Sequence, residues 1–370
     1  MIIFRYLIAE VFKAQLAVFL VLMTIFVSQK FVKILGDASE GELPGQLVMS
    51  IIAFKLPQLA GLILPLSVFL GILLAYGRIY ADSEMSVLHA CGVSEWYVTR
   101  VTLIFALILS MITGGVTLFV APWAAEQEYQ VRDKADADTG LSSIISGRFQ
   151  VSGNKKAVIF VEDINRQGNM LNRVFVAQMP QIGEADDRTT VVYAERGDIA
   201  EEATGAQKLV LHNGKQYQNS LGDQQFQKIE FSEYQIQIRE QEVEQRRRKL
   251  SAVPTAKLLE GPLTPEIMAE LHWRLSIPIS IILLTLIAVP MSSVQPRQGK
   301  FAKMLPALGL YLGYFILLIA GRSAIEDGKI PPHIGLWWIH ITALFIGAFL
   351  IIRGRPLGSK LRAKVKRRPA

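Results

Sequence analysis

One segment decides the fold class of this chain: residues 56–77 read LPQLAGLILPLSVFLGILLAYG, 22 positions without a charged residue. A helix of about 20 apolar residues crosses the hydrocarbon core of a bilayer. Five further stretches also lack charge, with lengths of 16, 25, 22, 18 and 23 residues: 14–29, 101–125, 275–296, 304–321 and 330–352. The sequence therefore predicts a membrane protein with six transmembrane α-helices.

The composition of the 370 residues agrees with this prediction, since 51% are apolar and 19% are charged. A soluble domain has about 25% charged residues. The single cysteine, Cys91, excludes an intrachain disulfide and a cysteine-based zinc or iron–sulfur site. No small-x-small cleavage site follows the first apolar stretch, so we expect an uncleaved helix there. Soluble enzymes, disordered proteins and disulfide scaffolds are excluded.

The distribution of Lys and Arg predicts that both termini are cytoplasmic, because cytoplasmic loops are enriched in these residues. Eight bases follow Ile352, and the linker after the fourth stretch holds three bases and no acid. Residues 36–50 instead contain three acids and no base. This loop is therefore expected outside, and six crossings place residues 122–265 outside as well.

Residues 122–265 are expected to form a small β domain between the third and fourth helices. They carry 18 bases and 21 acids, so the net charge of +7 arises in the rest of the chain. Basic residues beside a membrane helix indicate orientation and anionic lipid rather than nucleic acid. A polar helix is expected over residues 126–139, with Gly140 as its stop. Strand-like runs follow at residues 157–164, 173–179, 189–193, 208–212 and 226–238.

The pair Asn213-Gly214 is a hairpin signal inside this domain, because such pairs occupy the centre of type I′ turns. We therefore expect a turn between Leu211 and Tyr217. In the last strand-like run, apolar residues alternate for much of its length: Phe226, Ile229, Phe231, Tyr234, Ile236 and Ile238. The domain is either a rigid cap or a docking module whose sheet edge receives another chain.

The sequence carries no catalytic motif of the HEXXH, GXSXG or P-loop type. The charge-free stretches contain one histidine, His340, and no carboxylate. Ion-coupled carriers place ionisable side chains within the membrane, so this argues against such a carrier. Energy for transport would then come from a separate soluble ATPase. We expect no catalytic residue, no cofactor and no metal site.

The loop after the second stretch fits such an ATPase partner. A short helix is predicted there, N-capped by Asp82 or Ser83 and ended by Gly92 at the C′ position. Glu84 would lie in its first turn, where an acid complements the helix dipole. Two apolar residues would share one side of this helix: Met85 and Leu88. ATPase docking and a simple interfacial connector both remain possible interpretations.

Two lysines, Lys30 and Lys33, stand where the first helix is expected to leave the membrane on the external side. Residues three apart share a helix face. They are either snorkelling anchors or a site for an anionic head group, and the positive-inside rule favours the second interpretation. Gly309-x-x-x-Gly313 in the fifth stretch is a small-residue face suited to helix packing.

Several motifs resemble one family, the LptF/LptG permease subunits of the lipopolysaccharide export ABC transporter. These motifs are MIIFRYL at residues 1–7, LPLSVFLGIL at 64–73, SEMSVLHACG at 83–92 and VPMSSVQPRQG at 289–299. The resemblance covers essentially the whole chain and departs mildly at Met291, where many relatives have Leu. It implies transmembrane helices in residues 1–121 and 266–353, with a coupling helix at about 82–91. A periplasmic β-jellyroll would occupy residues 122–265, and a basic cytoplasmic tail residues 354–370.

The resemblance also implies partners and site residues. The chain would sit in the bacterial inner membrane with the permease LptG, an LptB ATPase dimer and LptC. Together they would extract lipopolysaccharide and pass it to a periplasmic bridge. Glu84, with Met85 and Leu88, matches the ATPase-coupling positions, and four residues match the lipopolysaccharide-binding cavity: Lys30, Lys33, Phe26 and Leu62. The alternatives are a non-transporting scaffold that recruits proteins through its β domain and, less favoured, a membrane-embedded lipid enzyme.

Overall fold

The computed structural model describes residues 2–39, 43–139, 146–151, 157–165, 170–178, 188–201, 207–220, 227–237, 249–294 and 303–353. These ranges divide into two compact units. The helical unit comprises Met1–Lys30, Ile52–Glu128 and Arg248–Ala370. The β unit comprises Phe31–Ile51 and Tyr129–Arg247.

Nine α-helices lie within the described ranges: α1 Ile2–Ser39, α2 Val48–Ala81, α3 Glu84–Ala90, α4 Glu95–Gly115, α5 Ala121–Thr139, α6 Thr255–Glu260, α7 Pro265–Met291, α8 Met304–Glu326 and α9 Trp337–Arg353. A π-helical segment, Val116–Val120, joins α4 to α5. Five of the predicted spans form helical segments long and apolar enough to cross a membrane, and the sixth forms the 17-residue apolar helix α9. The prediction of a membrane protein is confirmed.

The helical unit buries its helices unequally. In α2 and in α7, 67% of the most apolar 18-residue stretch is buried. Phe69, Tyr76 and Ile281 are among the buried side chains. In α1 the corresponding share is 11%, and in α8 it is 28%. Apolar helix faces left open in this way need lipid or another helix to cover them. The core of the unit therefore lies around α2 and α7, and α1 and α8 present apolar surface outward.

Six strands form one antiparallel sheet in chain order: β1 Phe149–Val151, β2 Ala157–Ile164, β3 Met170–Gln178, β4 Arg188–Glu201, β5 Gln207–Ser220 and β6 Gln227–Gln237. The prediction of a β domain inserted between transmembrane helices is confirmed. β2 has the predicted bounds, whereas β4 and β5 reach 14 residues each. One apolar face is buried and includes Val161, Val174, Leu209 and Leu211.

The sheet is bent along a row of residues that we call the crease row. One residue of β2 to β6 lies in this row, and the ladder pairing is interrupted at each: Glu162, Arg173, Glu195, Asn213 and Ser232. Arg173 and Asn213 both have a φ of 52°. In β3 the buried residues on either side of the row, Leu171 and Val174, are three positions apart instead of two. In β4 the buried residues on either side of the row, Ala194 and Gly197, are likewise three positions apart. Both strands therefore shift phase at the row and keep the same face buried on either side of it.

The predicted hairpin at Asn213-Gly214 is wrong, because both residues lie inside β5, and the flanking His212 and Gly214 pair with β4 and β6. Asparagine tolerates the left-handed backbone conformation, so Asn213 bends the strand without reversing it. A Cβ atom at Gly214 would lie 2.3 Å from Cζ of Phe231 and 2.4 Å from the carbonyl oxygen of Tyr193. Asn213 and Gly214, a pair that favours turns, instead allow β5 to bend at the crease row.

Candidate functional site

The short helix α3 forms where the sequence predicts it and begins after Ser83, one of the two predicted N-cap residues, but without a side-chain cap. Ser83 is the N-cap residue with a φ of 62°, and no side chain caps the helix. Its carbonyl oxygen instead accepts the amide hydrogens of Ser86 and Val87 at 3.1 and 3.3 Å. At the other end, Gly92 has a φ of 89° and follows the C-cap residue, as predicted.

Met85 anchors α3 in the core of the helical unit. Its side chain has no exposed surface, and Leu88 packs half-buried against the same core. On the side of α3 that faces away from Met85, Glu84 is exposed and Val87 is 62% exposed. The predicted apolar side of the helix is therefore its inner side, and the acid points outward.

The carboxylate of Glu84 accepts a hydrogen bond from the hydroxyl group of Tyr6 in the first turns of α1. Four residues further along α1, Glu10 forms an ion pair with Arg78 in the last turn of α2. These contacts are absent from the predictions because their partners are 78 and 68 residues apart in the chain. Only the spacing of Tyr6 and Glu10, which places both on one face of α1, could have pointed to them.

Lys30 and Lys33 lie on α1 and are both exposed. Neither has an ion pair or a hydrogen bond to another residue in the part of the chain that the structure describes. Phe26 and Leu62 are half-buried. Lys30 follows Tyr6 by 24 residues on one continuous helix. At 1.5 Å per residue they are about 36 Å apart, more than the hydrocarbon core of a bilayer.

A buried ionic cluster, which the sequence patterns do not predict, lies in α7 just before the fourth charge-free stretch. The carboxylate of Glu270 accepts hydrogen bonds from Arg274 at 2.8 Å and from Arg322 of α8 at 2.9 Å. The side chains of Glu270 and Arg274 are 4% and 3% exposed. With two arginines on one carboxylate, Glu270 is compensated and holds no free charge for ion coupling.

The histidines of the helical unit take part in packing contacts. Nδ1 of His89 lies 2.7 Å from the carbonyl oxygen of Val93, beyond the end of α3. Nε2 of His272 lies 3.0 Å from the carbonyl oxygen of Pro332. His340 is hydrogen-bonded to Tyr314 and Ser276, both at 2.9 Å. Within the described ranges, no three His, Cys, Asp or Glu side chains come together in a way that could hold a metal ion.

Lys303 holds the carboxyl end of α7, next to the motif at residues 289–299. Its ammonium group donates to the carbonyl oxygen of Ser293 and lies 3.2 Å from the Ser293 hydroxyl oxygen. Burial lowers the pKa of Lys303 below its ordinary value. Because Ser293 lies two residues after the last residue of α7, this contact ties the chain leaving α7 to the residue that precedes α8.

The family model described as "Lipopolysaccharide export system permease LptF/LptG" matches residues 5–353. The chain belongs to this family. It is also 33% identical over 370 residues to the lipopolysaccharide export system permease protein LptF of Escherichia coli strain K12, and the match covers 100% of both chains. The proteins of the same name from Escherichia coli O157:H7 and Shigella flexneri match with the same identity and coverage.

Membership in the LptF/LptG family confirms the resemblance seen in the sequence motifs. The first seven residues and the run HACG at 89–92 favour the LptF type over the LptG type, and the full-length relatives carry the name LptF. The chain is thus a multi-pass membrane permease of lipopolysaccharide export. The family match spans α3 and all the long apolar helices, so every predicted site residue lies inside it.

Proposed function

We propose that this LptF/LptG-family chain is the non-hydrolysing permease subunit of an ATP-driven transporter. It would extract lipopolysaccharide from the inner membrane and pass it to a periplasmic bridge, together with LptG, an LptB ATPase dimer and LptC. Both termini would be cytoplasmic and residues 122–265 periplasmic. The observation that carries the proposal is α3, which exposes Glu84 while Met85 is fixed in the core.

A subunit driven by a separate ATPase needs a surface that transmits force. A loop on its own would bend, whereas α3 is tied to the helical unit through a side chain with no exposed surface. Glu84 offers a negative charge to a basic group of the ATPase, and Val87 beside it offers apolar contact area. The arrangement supports Glu84, Met85 and Leu88 as the coupling residues. Met85 and Leu88 would anchor the helix in the core, and Glu84 would contact the ATPase.

The experiment replaces Glu84 by Ala and measures how much LptB co-purifies with the permease complex in mild detergent. Loss of a charged partner is expected to weaken docking about tenfold. Asp82→Ala is the matched control, because it removes an exposed acid two residues away and outside the helix. Equal retention of LptB by Glu84→Ala and wild type would contradict the docking role.

We further propose that Lys30 and Lys33 bind phosphate groups of lipopolysaccharide, with Phe26 and Leu62 beside its acyl chains. Two exposed lysines without a partner among the described residues support an anionic ligand. Their distance from the α3 end of α1 supports a position on the external side. Replacing both by Glu should reduce photo-crosslinking of lipopolysaccharide to the complex severalfold, whereas Lys13→Glu at the other end of α1 should not.

The open faces of α1 and α8 support pairing with a second permease. Residues exposed on α8 include Leu312, Ile316 and Ile319. A Cβ atom at Gly309 or Gly313 would meet no atom within 4 Å among the described residues. The small-residue face of α8 is thus not used for packing within this part of the chain. It is available to a helix of LptG or to a lipid that enters between the two permeases.

A further inference from the structure

The first turns of α1 hold a polar pair that the transport function leaves unexplained. Tyr6 and Glu10 are four residues apart on one face of α1. Tyr6 donates to Glu84 at the start of α3, and Glu10 pairs with Arg78 at the end of α2. The same face of α1 thus contacts the end of α2 and the start of α3, on either side of the residues that connect them.

The contact with Tyr6 decides where the Glu84 carboxylate points. A helix of seven residues has little stability of its own, so tertiary contacts set its position. Met85 fixes its depth in the core but leaves the exposed Glu84 side chain free to rotate. The hydrogen bond from Tyr6 to Oε2 is the only one that Glu84 makes within the described residues. It therefore restricts the orientation of the carboxylate and leaves Oε1 without a hydrogen bond among the described residues.

We propose that Tyr6 is a positioning residue for ATPase docking. Its hydroxyl group holds Oε2 of Glu84, so that Oε1 is presented to a cationic side chain of the ATPase. Without this contact, docking would have to immobilise a freely rotating side chain, which lowers affinity. The inference rests on the proposed docking role of Glu84. It adds a residue of α1 to a function that the sequence assigns to the loop after the second span alone.

The test is a double-mutant cycle on the full permease complex in lipid nanodiscs, titrated with purified LptB. Tyr6→Phe keeps the ring and removes the hydroxyl group, and we expect it to raise the Kd about fivefold. In a Glu84→Gln background the same change should have much less effect, because Tyr6 acts only through the carboxylate. Tyr80→Phe is the matched control, since the Tyr80 hydroxyl makes no hydrogen bond within the described residues.

The outcomes separate this proposal from the docking role. If Glu84→Gln weakens binding and Tyr6→Phe does not, docking stands and the positioning role of Tyr6 is overturned. If Tyr6→Phe has the same effect in both backgrounds, Tyr6 acts through general folding, and the proposal is again wrong. Tighter binding of Tyr6→Phe would show competition for Glu84 and would also overturn it. If Glu84→Gln leaves the Kd unchanged, docking and positioning fail together.

Discussion

At the scale of single residues, the space beside His272 leaves room for glycine alone at position 335. Gly335 has a φ of 53°, and a Cβ atom there would lie 2.3 Å from Cε1 of the His272 ring. Nε2 of the same ring lies 3.0 Å from the carbonyl oxygen of Pro332, and this contact restrains the ring. His272 and Gly335 therefore fix the segment before α9 against α7.

Gly335→Ala is expected to destabilise the helical unit by about 2 kcal/mol or more. The change combines a left-handed backbone with a clash against a ring that cannot withdraw. Thermal unfolding of the purified protein in detergent measures the effect. Gly309→Ala is the control, because a Cβ atom there meets nothing within 4 Å. Equal midpoints for the two variants would show that His272 has another place to go.

Residue-scale contacts of this kind are where the sequence prediction ends. The positions of Glu84, Met85 and Gly92 in and after α3 can be predicted from the helix start, the apolar spacing and the helix stop, which are all local properties. The contact between Tyr6 and Glu84 joins positions 78 residues apart, and no local pattern encodes it. Glu270 and Arg274 were missed for another reason. Charge-free stretches end at charged residues by definition, so a paired charge inside α7 lies outside them.

At the scale of elements, Arg274 joins both segments of chain that lead to and from the β domain. Its guanidinium group donates to Thr255 at 2.7 Å and to the carbonyl oxygens of Leu250 and Val253 at 2.9 and 3.0 Å. Thr255 in turn donates to the carbonyl oxygen of Leu118 in the π-helical segment, at 2.5 Å. The outgoing and returning segments are thus tied to α7 through one side chain.

A proline completes this junction. Pro278 lacks an N–H group, so the carbonyl oxygen of Arg274 four residues earlier has no partner within α7. The hydroxyl group of Thr117 donates to this oxygen at 3.2 Å. A neighbouring helix thus satisfies the backbone group that the proline frees, as membrane helices require. The turn of α7 before Pro278 and the π-helical segment are thus joined by a hydrogen bond.

Arg274→Met is expected to destabilise the protein by about 3 to 5 kcal/mol. It removes a buried partner of Glu270 and the guanidinium donor of the carbonyl oxygens of Leu250 and Val253, both of which belong to half-buried residues. Arg274→Lys should recover only part of this, because an ammonium group cannot reach all four acceptors. Limited proteolysis between α6 and α7 and thermal unfolding measure the loss. Arg5→Met, at an exposed position of α1, is the control, and similar stability of both Met variants would contradict the junction.

The crease row gives a second prediction at this scale. Asn213→Val is expected to destabilise the sheet by about 1 to 2 kcal/mol, because a β-branched residue is poorly tolerated at a φ of 52°. Asn213→Gly should be tolerated. Hydrogen exchange of the β5 amides in the full-length protein reports the change. Asn172→Val is the control, since Asn172 is also an exposed strand residue next to the row but has no positive φ.

The crease was present in the sequence, although a stronger local signal hid it. The apolar residues of the last strand-like run step by two from Ile229 to Phe231 and then by three to Tyr234. Such a phase shift indicates a bulge. A single run does not show whether other strands shift at the same place. Whether the phase shifts of neighbouring strands lie side by side depends on the strand register, which the sequence does not give. Without the register, the turn propensity of Asn213-Gly214 predicts a hairpin.

At the scale of the whole molecule, hydropathy predicts the division into membrane helices and a β domain. It does not predict which helices form the centre. α2 and α7 are no more distinctive in sequence than α1 and α8, yet they bury far more of their surface. Which helices lie at the centre depends on contacts between the spans. A helix face that meets lipid is as apolar as a face that packs on another helix, so hydropathy does not distinguish the two. Assembly with a partner permease would use the faces that this chain leaves open.

The orientation of the molecule can be tested through its single cysteine. Cys91 is exposed and lies at the end of α3, the helix proposed to dock the ATPase. If both termini are cytoplasmic, α3 is too, and a membrane-impermeant maleimide should leave Cys91 unlabelled in intact spheroplasts. The same reagent should label it in inverted membrane vesicles. Bound LptB should then slow labelling severalfold, since it would cover the surface around Glu84.

A second cysteine supplies the opposite signal. Ser232→Cys, made in a Cys91→Ser background, places the thiol on the exposed face of β6 in the crease row. This thiol should react in intact spheroplasts and be protected in sealed inverted vesicles, because the β domain is proposed to be periplasmic. The two cysteines are expected to report opposite sides of the membrane, because a single proposed transmembrane crossing lies between α3 and the sheet. Labelling of Cys91 and protection of position 232 in spheroplasts would reverse the topology, and labelling of both from one side would refute the number of spans between them.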